Sequence, residues 1–212
     1  MMQVTCRAKS VRFAAQEFRE KIMGDDFFAL HWRYDDGSDF GRHCAKGLGG
    51  LTVCALLSIT DLGKFGERLS FYMNSVVDKY EEAVSSPKNI TLPRVKNRAL
   101  YIASPPNQII KLKPMIESLA NSGIKVFSGK DLTEWADERY TGVCPELTLR
   151  DEMHDFRSQV EMEICSISGL FFSSDGSSWS ENISMERQAK RMHWWDRSNT
   201  QFMAKDHLPV RH

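Results

Sequence analysis

The chain has 212 residues, 42% hydrophobic and 26% charged, a balance that suits a globular protein with a proper core. Lys and Arg number 28, as do Asp and Glu, so the formal net charge is zero, which argues against a nucleic-acid-binding protein. The five cysteines (Cys6, Cys44, Cys54, Cys144 and Cys165) hold no C-x-x-C pair, which argues against a structural zinc site, and no apolar run is long enough to span a bilayer.

Residues 1–26 carry charges throughout and lack the continuous apolar segment of a secretory signal peptide. Within them, "SVRFAAQEFREKIM" spaces Val11, Phe13, Ala14, Phe18, Ile22 and Met23 as an amphipathic helix does. Gly24-Asp25-Asp26 breaks it. The apolar run 27–30 predicts a short strand buried on both faces, delivering His31, Trp32 and Arg33 at its end. Residues 34–50 read as a polar, Gly-rich loop, and "LTVCALLS" (51–58) suits helix or strand. A helix is predicted over 66–86, followed by a connector with Pro87 and Pro93 that holds the glycosylation triplet Asn89-Ile90-Thr91.

An α/β cycle follows. "RALYIAS" (98–104) is a strand and "PPNQ" a turn. Lys113 or Pro114 opens a helix with Met115, Ile116 and Leu119 on its buried stripe and Gly123 as its stop. Residues 124–128 are the next strand, and 129–153 a long charged segment with no assigned element. Residues 156–168 form a helix with Val160, Ile164 and Ile167 on one face, 169–174 a strand, "DGSSW" a tight loop, and 180–192 a helix with Ser180 as its N-cap. The predicted fold class is α/β: a Rossmann-like parallel sheet with helices on both faces. Ligands bind such sheets at the carboxyl ends of the strands. His31 to Arg33, Ser104 to Gln108 and Ser173 to Trp179 stand at such ends.

Each of these has a functional and a plain reading. "SSDGSSWS", between strand and helix, offers small hydroxyls and helix-start N–H groups to an anion, or is simply a capped turn. His31 and Arg33, two residues apart on a strand, share a face and converge on a ligand, or Arg33 pairs with Asp35 or Asp36 while backbone satisfies His31. Glu161 and Glu163 read as a guanine-accepting carboxylate or as solvated helix residues, solvation being the reading for Glu163. Asp35, Asp36 and Asp39 lack the spacing of a metal site, and no G-x-S-x-G elbow supports a Ser–His–Asp hydrolase.

Taken in order, "ALHWR", "ALYIAS" and above all "QVEMEICSISGLFFSSDGSSWSENISMER" (159–187) resemble the GDP-fucose protein O-fucosyltransferases. Gln159, Val160, Ser177, Ser178, Glu186 and Arg187 match that family's block at equal spacing, and the resemblance runs over about 27–192. It implies the donor-binding, C-terminal lobe of a GT-B glycosyltransferase, preceded by a helical segment (1–26) and followed by a tail (193–212). It implies an inverting, metal-independent transfer of fucose from GDP-fucose to Ser or Thr of a folded acceptor, such as an EGF-like or thrombospondin type-1 repeat. Its setting would be the endoplasmic reticulum lumen. Arg33 would hold the β-phosphate and glycosidic oxygen with His31 beside it, while Ser177, Ser178 and the backbone at Trp179 would hold phosphates and ribose. Glu161 stands where the family has an Asp that reads guanine, Trp179 where Phe is usual, and Ser104 where Asp is frequent. Family members carry an N-terminal lobe before the His-x-Arg strand, so the expectation is a partial chain. The alternative is a non-catalytic nucleotide-sugar or protein-binding remnant.

Overall fold

The computed structural model describes residues 8–33, 62–84, 95–140, 154–174 and 177–190. Four strands form one all-parallel sheet: β1 (Phe28–His31), β2 (Ala99–Ala103), β3 (Lys125–Ser128) and β4 (Leu170–Phe172), in the order β3-β2-β1-β4. β1 runs beside β2 with Phe28 opposite Leu100, and beside β4 with Phe28 opposite Leu170. Every residue of β1, β2 and β4 is buried, as a continuous apolar run requires, whereas β3 is the half-exposed edge.

Side-chain alternation along the strands splits the core in two. On one face Phe28, Leu30, Leu100, Ile102 and Phe172 pack under α2 (Leu62–Val84), through Phe65, Leu69, Met73 and Val77, and under Met115 and Leu119 of α4 (Lys113–Asn121). Gly66 lets these helices meet closely, because a Cβ there would stand 2.7 Å from the Met115 carbonyl oxygen. On the other face Ala29, Tyr101, Ala103 and Phe171 pack under α1 (Lys9–Phe18), α5 (Gly129–Tyr140) and α6 (His154–Ile167). The expected helices on both faces of a Rossmann-like sheet are present.

Local boundaries follow sequence chemistry. Pro114 sits in the first turn of α4, and Gly123 stops the helix with φ 79°. A π-helical turn (Arg19–Met23) extends α1 until Gly24, at φ 83°. Three expectations need correction. The charged stretch after β3 is not irregular over its described part: it folds as α5, because Leu132, Ala136 and Tyr140 recur every four residues and are all buried. "PPNQ" belongs to a single helical turn, α3 (Pro106–Ile109). The last helix, α7 (Ser178–Ala189), starts two residues early, so Ser177 is its N-cap residue and Ser180 lies inside it. The readings made for 34–50, 51–58, 85–94 and 193–212 fall outside the described residues.

Candidate functional site

The chain runs β1, β2, β3 outward along the sheet and then returns to place β4 on the far side of β1. Such a reversal opens a crevice at the strands' carboxyl ends. Two hydrogen bonds shape that end: Trp32 N–H reaches the Ala103 carbonyl at 2.9 Å, and Arg33 N–H reaches Ser174 Oγ at 3.2 Å. Ser174 Oγ in turn donates to the His31 carbonyl at 2.6 Å. With this hold, the two-residue period continues past the strand. His31 and Arg33 turn to the α6/α7 face, and Trp32 turns to the other face, against Phe65.

There they line a cleft of about 310 Å³, with Ser104 and Pro105 from the β2 end, Arg157, Ser158 and Glu161 from α6, and Trp179 from α7. This volume lies at the small end of the roughly 300–1,000 Å³ usual for ligand sites. His31 is buried, its Nδ1 is 2.7 Å from Ser180 Oγ, and its ring lies 4.2 Å from that of Trp179 at a 37° tilt. Ser180 Oγ also accepts the Ser174 N–H at 2.9 Å, so the residue expected to cap α7 instead ties β1, β4 and α7 together. Burial, with Arg33 nearby, lowers the His31 pKa to about 3, so its imidazole is neutral at physiological pH.

Glu161 is buried in the cleft wall and accepts the Tyr101 hydroxyl at 3.1 Å. Burial raises its carboxyl to about 7 against the opposing pull of Arg157 and Tyr101. Trp179 Nε1 donates to Ser158 Oγ at 3.3 Å, which fixes the indole at the cleft's rim. Arg33 is exposed and Arg157 half-buried. Neither guanidinium makes a hydrogen bond or ion pair with any described residue. The pairing weighed for Arg33 with Asp35 or Asp36 involves residues outside the described set.

The structure thus gathers four of the six expected site residues, His31, Arg33, Glu161 and Trp179, around one cleft, and Ser104 joins them. Ser177 and Ser178 stand next to Trp179, at the start of α7, but not among the lining residues. The expected solvation of Glu163 is corrected: it is buried. Sequence reasoning missed Arg157 and Ser158, although Arg157 precedes Glu161 by four residues and so shares its helix face. Among the described residues no group of His, Cys, Asp or Glu could hold a metal ion, and no helix is long and apolar enough to cross a membrane. No protein-family model, curated protein or solved structure matches the chain.

Proposed function

We propose that the cleft binds GDP-fucose and that the chain is the donor-binding lobe of a protein O-fucosyltransferase. The acceptor would be a Ser or Thr hydroxyl of a folded repeat, EGF-like or thrombospondin type-1, in the endoplasmic reticulum lumen. One observation carries this reading: two guanidiniums, Arg33 and Arg157, share a crevice at the carboxyl end of a parallel sheet, and no described residue pairs with either. A guanidinium is a planar fork of donors suited to two phosphate oxygens. The sequence block 159–187 and the His31-Trp32-Arg33 strand end give the sugar nucleotide its identity by resemblance.

In this scheme Arg33 meets the β-phosphate. As the bond from fucose C1 to the phosphate oxygen breaks, negative charge grows on that oxygen, and a preorganised cation favours the transition state over the ground state. The acceptor hydroxyl then attacks C1 from the opposite face and gives up its proton to solvent as GDP departs, which inverts the anomeric centre. Neutral His31, fixed by Ser180 and Trp179, lines the pocket without repelling the positive charge that develops on the sugar ring. Ser177 and Ser178, at the start of α7 beside Trp179, would offer hydroxyls and helix-start N–H groups to the phosphates.

Calorimetric titration of GDP-fucose into the whole chain tests the reading. The wild type should bind, and Arg33→Ala should weaken binding by at least about tenfold, the share of one charged contact. Equal affinity in both proteins would remove Arg33 from the site. Incubation with a folded acceptor repeat separates transfer from binding, since binding without turnover favours a chain that holds the nucleotide sugar without acting on it.

A further inference from the structure

Arg157 and Glu161 lie one helical turn apart on α6 and line the same cleft, yet no hydrogen bond or ion pair joins them. Glu161 sits in a slot with three described walls. Tyr101 of β2 donates to its Oε1 at 3.1 Å. Gly129, where α5 begins, leaves room that a side chain would close, because a Cβ there would stand 2.6 Å from Glu161 Oε1 and 3.7 Å from Arg157 Nε. The third wall is α6 itself, with Arg157 on the cleft side and Cys165 one turn further on. Across the cleft stand His31 and Arg33 from β1, and from α7 comes the uncharged Trp179. The α1 residues packed in this part of the core, Val11, Ala14, Ala15 and Phe18, are apolar.

Burial holds the Glu161 carboxyl at about 7, burial holds Tyr101 well above its ordinary range, and His31 stays neutral down to about 3. An ionised Glu161 competes with any ligand anion for the field of Arg157, and a protonated one does not. We propose that Arg157 and Glu161 form a proton-coupled anion subsite: a ligand phosphate occupies Arg157, and its arrival drives the Glu161 carboxyl toward its protonated form, with the proton drawn from solvent.

The inference rests on the reading that the cleft binds GDP-fucose, and it differs from the guanine contact that the family resemblance assigns to Glu161. A carboxylate that accepts two guanine N–H groups must be ionised, so guanine binding there would release a proton. Phosphate at Arg157 favours uptake. The two roles have opposite signs in one measurement.

GDP-fucose suits that measurement because both phosphates are esterified and neither titrates near neutral pH. The whole chain is titrated with GDP-fucose near pH 7 in two buffers of different ionisation enthalpy, then across a pH series. The expected result is net proton uptake. If the phosphate raises the Glu161 midpoint by about one pH unit, Kd weakens about tenfold between about pH 6 and about pH 9. Glu161→Gln should abolish the uptake and flatten the series. Tyr101→Phe removes a donor that favours the carboxylate, so the loss of affinity should move to higher pH, a shift that a purely structural role for the hydroxyl would not produce. Arg157→Ala should weaken binding and shrink the uptake. Proton release, or uptake that persists in Glu161→Gln, overturns the subsite while leaving GDP-fucose binding intact. An absence of GDP-fucose binding at every pH overturns the underlying reading, and the subsite with it.

Discussion

His31 and Glu161 face one cleft but answer to protons in opposite directions. The His31 pKa falls from 6.5 to about 3 through burial, so the folded chain binds this proton less readily than the unfolded chain. Its contribution to stability is present above 6.5 and is lost as pH falls through that value toward 3. Glu161 rises from 4.5 to about 7, again through burial, so the folded chain binds that proton more readily. Its contribution is complete below 4.5 and is lost as pH rises toward 7. Between 4.5 and 6.5 the two slopes cancel, each being about 1.4 kcal/mol per pH unit at most. Urea unfolding across this window should therefore show almost no dependence from this pair. Glu161→Gln should expose the histidine slope, with stability falling as pH drops, and His31→Asn should expose the carboxyl slope, with stability falling as pH rises. Parallel profiles in the two variants would refute these assignments. The cancellation was not legible in the sequence, since neither residue type announces its burial. What was legible was the shared face of His31 and Arg33, because a period of two needs no tertiary information.

Among the elements, α7 depends on Arg187. This arginine is fully buried and reaches back to the end of α6, where Nη1 donates to the carbonyls of Ser168 at 2.6 Å and Ser166 at 3.2 Å. Nη2 approaches the Gly169 carbonyl at 3.4 Å, and the Gly169 N–H is bound to the Phe27 carbonyl at 2.8 Å. A helix leaves its last carbonyls without intrahelical donors, and a cation at that end also suits the helix dipole. One side chain thus closes the α6–β4 turn and anchors the helix that carries Trp179 and Ser180. Arg187→Ala should cost about 3–5 kcal/mol in urea unfolding, because it strands buried carbonyls. Arg187→Lys, a point charge without the fork, should fall between Ala and wild type. A loss below about 1 kcal/mol for Ala would show that water replaces the guanidinium easily. The elements were otherwise largely readable. All four strands stand within a residue or two of their expected spans; β1, β2 and β4 do so because strands covered on both faces need a largely apolar run, whereas the half-exposed edge strand β3 was read from its place in the α/β cycle. The helix α5 was not readable, because eight of its twelve residues are polar, charged or glycine and its buried stripe is only one side chain per turn. The start of α7 was misplaced because three nearby serines, Ser177, Ser178 and, beyond Trp179, Ser180, all suit a cap, and only the contact of Ser180 with His31 decides among them.

At the scale of the whole molecule, the sheet order does the assembling. His31 and Ser180 are 149 residues apart in sequence, yet the return of the chain to the far side of β1 puts their side chains in contact. Arg33, Ser104, Arg157 and Trp179 likewise come from four separate segments: the ends of β1 and β2, and the helices before and after β4. No single segment could bind a ligand, so binding energy must be spent holding β1, β2, α6 and α7 in register. A ligand at a hundred times its Kd adds about 2.7 kcal/mol to global stability. For a chain of this size that corresponds to a rise in Tm of roughly 5–10 °C. Hydrogen exchange then locates the effect. GDP-fucose should slow exchange together around Arg33, Ser104 and Trp179, while α2 and α4, which pack on the opposite face of the sheet, gain protection only through the global term. Arg33→Ala should lower both the Tm shift and the protection at Ser104 and Trp179, although those residues are untouched by the substitution. Protection confined to the neighbourhood of Arg33 would mean that a cation binds phosphate alone and that the cleft does not act as one site.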